Sequence, residues 1–75
     1  MTELVEIFAK ALVDNPEAVN VEMIEDEIGY RIELRVAPED MGKIIGRQGR
    51  IIRSLRTVVK AAAVKQQVKV TLEVI

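Results

Sequence analysis

The sequence predicts an α+β domain in the order αββααβ, with a three-stranded sheet covered on one face by three helices. Three observations carry this. Apolar residues recur at helical spacing over residues 3–13 and again over 50–64. Three other stretches alternate apolar and polar residues, as half-buried strands do. Asn15-Pro16, Gly29, Pro38, Gly46 and Gly49 punctuate the chain between them.

The first helix places Leu4, Ile7, Phe8, Ala11 and Leu12 on one side and Glu3, Glu6 and Lys10 on the other. Thr2 is the expected N-cap, and Asn15-Pro16 ends the helix because the residue before proline disfavours helical angles. Val19–Met23 and Tyr30–Val36 read as an antiparallel hairpin, with Glu25-Asp26-Glu27-Ile28-Gly29 as a solvated turn. Pro38 opens a short helix to about Ile45, with Glu39 and Asp40 at the positive end of its dipole. Over 50–64, Ile51, Ile52, Leu55, Val58, Val59, Ala62 and Ala63 share one arc, opposite Arg53, Arg56, Thr57 and Lys60. Val68–Val74 is the third strand.

A chain of 75 residues is one small domain, spanning 1–75, with a thin margin of stability. It has no cysteine and no histidine, which removes disulfides and the usual zinc and haem ligands. No cofactor or metal is therefore expected. No nucleophile–base set is present, and the 25–27 acids lack the spacing of a calcium loop, so an enzyme is not expected. No apolar run reaches the ~18 residues of a membrane span, and Met1-Thr2-Glu3 does not begin a signal peptide. A cytoplasmic protein without membrane contact is expected.

The net charge of −1 conceals a segregation. Residues 1–40 hold 11 acids and 3 bases (−8), and residues 41–75 hold 8 bases and 1 acid (+7). One reading is that the two halves attract each other in the fold. The other is that the basic half faces a polyanion.

The second reading gains weight from Ile44-Ile45-Gly46-Arg47-Gln48-Gly49-Arg50-Ile51-Ile52. Two glycines let a backbone turn pass close to a ligand, and the following helix aims its free N–H groups at the turn. Lys43, Arg47, Arg50 and Arg53 would neutralise phosphates, while Ile44 and Ile45 supply an apolar floor. The alternative is a tight turn in which the glycines serve packing alone.

This motif, between two helices, after a hairpin and before a last strand, resembles the KH domain in its type II arrangement, over essentially the whole chain. In that family the G-x-x-G loop clamps about four nucleotides of single-stranded nucleic acid. By position, the resemblance makes Gly46, Arg47, Gln48 and Gly49 the clamp and Ile45 and Ile52 the flanking aliphatics. Gln48 departs from a strong binder, leaving Arg47 the one base inside the loop. Only Phe8 and Tyr30 are aromatic, which suits a KH groove better than the base-stacking platforms of other RNA-binding folds.

A lone KH domain of this size is similar to the small bacterial RNA-binding proteins of the KhpA family. That resemblance implies an RNA chaperone that pairs with a larger KhpB-type KH-containing partner, with a link to cell length and peptidoglycan homeostasis. A homodimer is expected through Ser54, Val58 and Ala61, at the edge of the last helix's core arc. These three residues otherwise merely complete the core. The competing functional expectation is a protein-interaction adaptor with a KH fold and little RNA affinity.

Overall fold

A computed structural model describes residues 1–75. Its helices are α1 (Thr2–Leu12), α2 (Met41–Ile45) and α3 (Arg50–Lys65), and its strands β1 (Asn20–Glu25), β2 (Tyr30–Arg35) and β3 (Val70–Val74). Short 3-10 turns at Pro16–Ala18, Pro38–Asp40 and Arg47–Gly49 join them. The sheet order is β1-β2-β3, with β1 antiparallel and β3 parallel to the central β2. The αββααβ order is that of a type II KH fold.

Strand register puts the apolar positions on one face. Val21 and Met23 pair with Leu34 and Ile32, which pair in turn with Val74 and Leu72. Helices cover that face, and 11 residues from α1, β2, α2, α3 and β3 form the core. Ile32, Leu34 and Ile44 are fully buried, so truncating any of them to alanine costs roughly 2–5 kcal/mol. That is a large share of what a small domain has.

α1 departs from the expected stripe. Val5 and Ala9 are its buried residues, with Met1, Phe8 and Leu12 packed beside them. Leu4 and Ile7 are 40% and 70% exposed, and Ala11 faces solvent as well. The helix has two overlapping apolar stripes, and a three-stranded sheet has room for one. A small Ala9 and a compact Val5 let the helix approach the sheet closely. Thr2 is already helical, and Met1 stands at the cap position without a side-chain hydrogen bond.

Asp26 does more than sit in a solvated turn. Its carboxylate accepts the N–H groups of Ile28 and Gly29, both at 2.8 Å, and closes the β1–β2 hairpin. Those bonds, Gly29's first, hold its pKa below the usual aspartate value. Gly29 packs against the carbonyl of Lys69, which accepts the Tyr30 N–H at 2.8 Å. A Cβ at Gly29 would lie 2.3 Å from that oxygen.

Asp40, expected to serve the α2 dipole, serves the connection after α1 instead. Fully buried, it accepts hydrogen bonds from the Asp14 N–H (3.2 Å), the Asn15 N–H (3.0 Å) and the Asn15 side-chain amide (3.0 Å). Burial alone would raise its pKa. The hydrogen bonds from Asn15 and Asp14, with the nearby Lys43 charge, outweigh burial and lower it. Its folded pKa therefore lies below the unfolded value of 3.8, so the stabilisation is present above that pH. It is lost as pH falls through the folded pKa.

Asp40→Ala should lower the melting temperature by several degrees at neutral pH, because two backbone N–H groups lose their acceptor. For Asp40→Asn, the melting-temperature gap from wild type should narrow between about pH 5 and pH 2, as the wild-type carboxyl is protonated. A gap independent of pH would contradict the role of the charge.

Candidate nucleic-acid interface

The glycines of the loop meet different demands. Gly46 has φ 76° and ψ 174°, a region almost closed to other residues, and a Cβ there would lie 2.5 Å from Cγ1 of Ile51. Gly49 is left-handed at φ 74° and ψ 15°, with open space where a Cβ would stand. Gln48 is also left-handed, at φ 57°. The Gly49 N–H donates to the Gly46 carbonyl at 3.1 Å, closing a compact turn at the first turn of α3. No side chain caps α3, so the N–H groups of its first turn are left for another acceptor.

Around this turn the cations are free. Of the eight basic residues from 43 to 69, only Lys43 has a carboxylate within ion-pair distance. Attraction between the acidic and basic halves therefore explains one lysine and leaves seven cations. Lys43 is held by Asp14 and lies 3.6 Å from Asp40. Its hydrogen bond to Asp14, against partial burial, raises its pKa. The Arg50 and Arg53 guanidiniums fold back to the loop, 3.4 Å from the Gln48 side-chain oxygen and 3.5 Å from the Gln48 carbonyl.

Of the expected site residues, Arg47, Gln48, Arg50 and Arg53 are exposed and converge on the turn formed by Gly46 and Gly49. Ile45 is 38% exposed and reaches the surface. Ile44 and Ile52 are core residues, 0% and 7% exposed, and offer a ligand almost nothing. The apolar contribution at the loop is left to Ile45.

Arg56 and Lys60 were not among the expected site residues. Between α3 and β3 runs a groove of about 200 Å³ lined by Arg56, Val59, Lys60, Val70, Thr71 and Leu72. Beyond Lys60 it continues into a wider hollow of about 330 Å³ that includes Val64 and Lys69. Because β3 is an edge strand, one side of its backbone lies outside the ladder. Arg56 Nε donates to the Leu72 carbonyl there at 3.1 Å. An apolar floor, edge-strand backbone and a row of cations leading from the loop suit bases along the floor and phosphates along the rim. The basic arc of α3 was visible in the sequence, but its neighbour was not: that required knowing that β3 lies at an edge.

Ser54, Val58 and Ala61 are exposed, Val58 by 49%. They leave the core and form a stripe on the other flank of α3 from Arg56 and Lys60. The Ser54 hydroxyl donates to the Arg50 carbonyl at 3.0 Å, so covering this stripe would strand no hydroxyl.

Gly46→Ala is expected to cost roughly 2 kcal/mol or more, from backbone angle and the Ile51 contact together. Gly49→Ala should cost about 1 kcal/mol, from the angle alone, and Gly49→Asn less. Urea unfolding midpoints of the three variants check the order.

Comparison with known proteins agrees with this geometry. A family model described as KhpA/KhpB, KH domain, matches residues 2–74. Proteins named RNA-binding protein KhpA from Clostridium perfringens and from Caldanaerobacter subterraneus subsp. tengcongensis are each 59% identical over 75 residues, covering all of both chains. One from Aquifex aeolicus is 48% identical over the whole of this chain and 95% of its own. Among solved structures, Era of Aquifex aeolicus superposes with a TM-score of 0.68 at 20% identity, over 97% of this chain and 28% of that one, a likeness of fold. With a fold, a G-x-x-G turn and full-length relatives in agreement, the chain belongs to the KhpA/KhpB family of KH domains.

Proposed function

We propose that this protein is a non-enzymatic binder of single-stranded RNA, holding about four nucleotides between the 46–49 turn and the groove along β3. The observation that carries the reading is the set of seven unpaired cations, most of them on the turn and the α3 flank that faces the groove. The names of the full-length relatives support RNA as the ligand. Arg47, Arg50, Arg53, Arg56 and Lys60 contact phosphates. Ile45 and the groove floor meet the bases. Lys43, held by two carboxylates, contributes at the rim only when a phosphate displaces Asp14.

The same proposal includes a homodimer through Ser54, Val58 and Ala61. A KhpB-type partner is proposed to use the same stripe; the description of the family model carries both names. The wider role proposed is that of a cytoplasmic RNA chaperone in cell-length and peptidoglycan homeostasis, which rests on the resemblance to the KhpA family alone. No helix of the protein is long and apolar enough to cross a membrane. A second reading, a KH-fold adaptor with little RNA affinity, is favoured by the exposure of Val58 and Ile7.

With three or four phosphates contacted, log K should fall with log[salt] at a slope of roughly −2 to −3. Fluorescence anisotropy of a short single-stranded RNA, read across salt concentrations, measures it. Arg47→Asp/Gln48→Asp and Arg56→Glu/Lys60→Glu should each abolish binding while circular dichroism shows a folded protein. Absence of binding by folded wild type would leave the adaptor reading. In sedimentation, wild type should run at twice the mass of Val58→Asp, and equal masses would remove the homodimer.

A further inference from the structure

α3 ends on a turn that gives the β3 groove a second compartment. Gln67 is left-handed, at φ 59°. Its N–H donates to the Val64 carbonyl and the Val68 N–H donates to the Ala63 carbonyl, both at 3.0 Å. A left-handed residue just past a helix permits this pair of bonds. They fold Val68 back beside the last turn of α3 before the chain enters β3. The hollow of about 330 Å³ left there is walled by Lys60, Ala63, Val64, Val68, Lys69 and Val70. Lys60 and Val70 also line the groove of about 200 Å³ beside Arg56, so the two compartments are continuous.

The core does not account for what this hollow displays. Ala63 and Val70 are buried at its base, but Val64 is 75% exposed. At 100° per residue, Val64 falls on the arc of Arg53, Thr57 and Lys60, the one apolar side chain there. Lys60 reaches the hollow from α3 and Lys69 from the segment before β3, and neither has a carboxylate within ion-pair distance. No acidic residue lines either compartment. An apolar floor between two free ammonium groups suits a ligand with flat apolar faces and an anionic backbone. The next hollow along the chain's surface, about 230 Å³, shares Lys69 and Thr71 but is also lined by Asp26 and Glu73. Two carboxylates oppose a phosphate backbone, so the path that suits RNA stops at Lys69.

We propose that the RNA site is longer than the four-nucleotide clamp. The strand leaving the β3 groove continues into the hollow at the end of α3, where at least one further base packs on Val64 and Val68. The phosphates flanking that base lie between Lys60 and Lys69, and the carboxylates of Asp26 and Glu73 mark the end of the footprint. This rests on the RNA-binding reading above and extends it. The loop selects where the strand is held, and the far hollow adds affinity only for strands long enough to reach it.

The test is the dependence of affinity on strand length. A tetranucleotide and an octanucleotide of uridine are titrated by fluorescence anisotropy. An octanucleotide offers a four-nucleotide site about five registers, which alone gives a ~5-fold gain. Wild type should gain at least ~20-fold, from the added base contact and the added phosphate. Val64→Asp should return the gain to ~5-fold while binding the tetranucleotide as wild type does. Lys69→Gln should make the slope of log K against log[salt] shallower by about 0.7 for the octanucleotide, and leave the tetranucleotide slope unchanged. Both positions are exposed, and circular dichroism checks that both variants are folded. If wild type binds both strands with only the ~5-fold gain, the extension is overturned and the RNA-binding reading stands. A larger gain that Val64→Asp leaves intact comes from elsewhere and also overturns it. Equal losses for the two strands would place the hollow inside the four-nucleotide clamp, again against the extension. If folded wild type binds neither strand, the RNA-binding reading falls, and the extension with it.

Discussion

The parallel pairing of β3 with β2 is the constraint on which the functional surface depends. An antiparallel third strand could follow β2 through a tight turn. A parallel one needs a crossover that returns the chain to the starting end of the sheet, and here α2, the Gly46–Gly49 turn and α3 make it. The crossover lays α3 over β3 and leaves β3 at the sheet's edge. The groove is the gap between that helix and that edge, and the turn is the mouth of the gap. Cations spaced along α3 are brought beside an open backbone edge by strand direction alone.

A second fixed point holds the other end of the crossover. α2 has only five residues and little intrinsic stability as a helix. Its first turn is held by the buried Asp40 carboxylate, which binds the chain just after α1. The same carboxylate and Asp14 draw in Lys43. One aspartate therefore joins the helix on the β1 side of the sheet to the segment leading into the loop, and it sets which lysine is withheld from the free cations. Replacing it would disturb the entry to the turn from a position that touches no ligand.

Much of this was legible in the sequence, and the parts that were not share a cause. The order of elements, the hairpin, the G-x-x-G turn and the apolar and basic sides of α3 follow from local periodicity and glycine placement. Misreadings arose where a residue's role depends on what lies across the fold. Leu4, Ile7 and Ala11 form as good a stripe as Val5 and Ala9, and only the sheet decides between them. Ile44 and Ile52 flank the glycines in sequence but point into the core, because the turn between them reverses the chain. Asp40 looks like a helix-start acid until the end of α1 is placed beside it. Arg56 and Lys60 entered the proposed site only when β3 was found at the edge.

The charge segregation noted along the chain becomes a spatial one, because α1 packs on β1 and α3 on β3. The acidic half then lies toward one end of the strand order and the basic half toward the other. Whether an approaching polyanion feels both depends on screening. At ~0.1 M ionic strength the Debye length is about 10 Å. The molecule measures 34 × 22 × 17 Å, so even its shortest dimension exceeds that length. A strand arriving at the basic flank meets a locally cationic surface and is steered by it. At ~0.01 M the Debye length grows to about 30 Å, and the acidic half comes into view. The −8 of residues 1–40 then offsets part of the attraction of the +7 of residues 41–75. Diffusional capture by this molecule therefore gains less from the removal of salt than its basic flank alone would give.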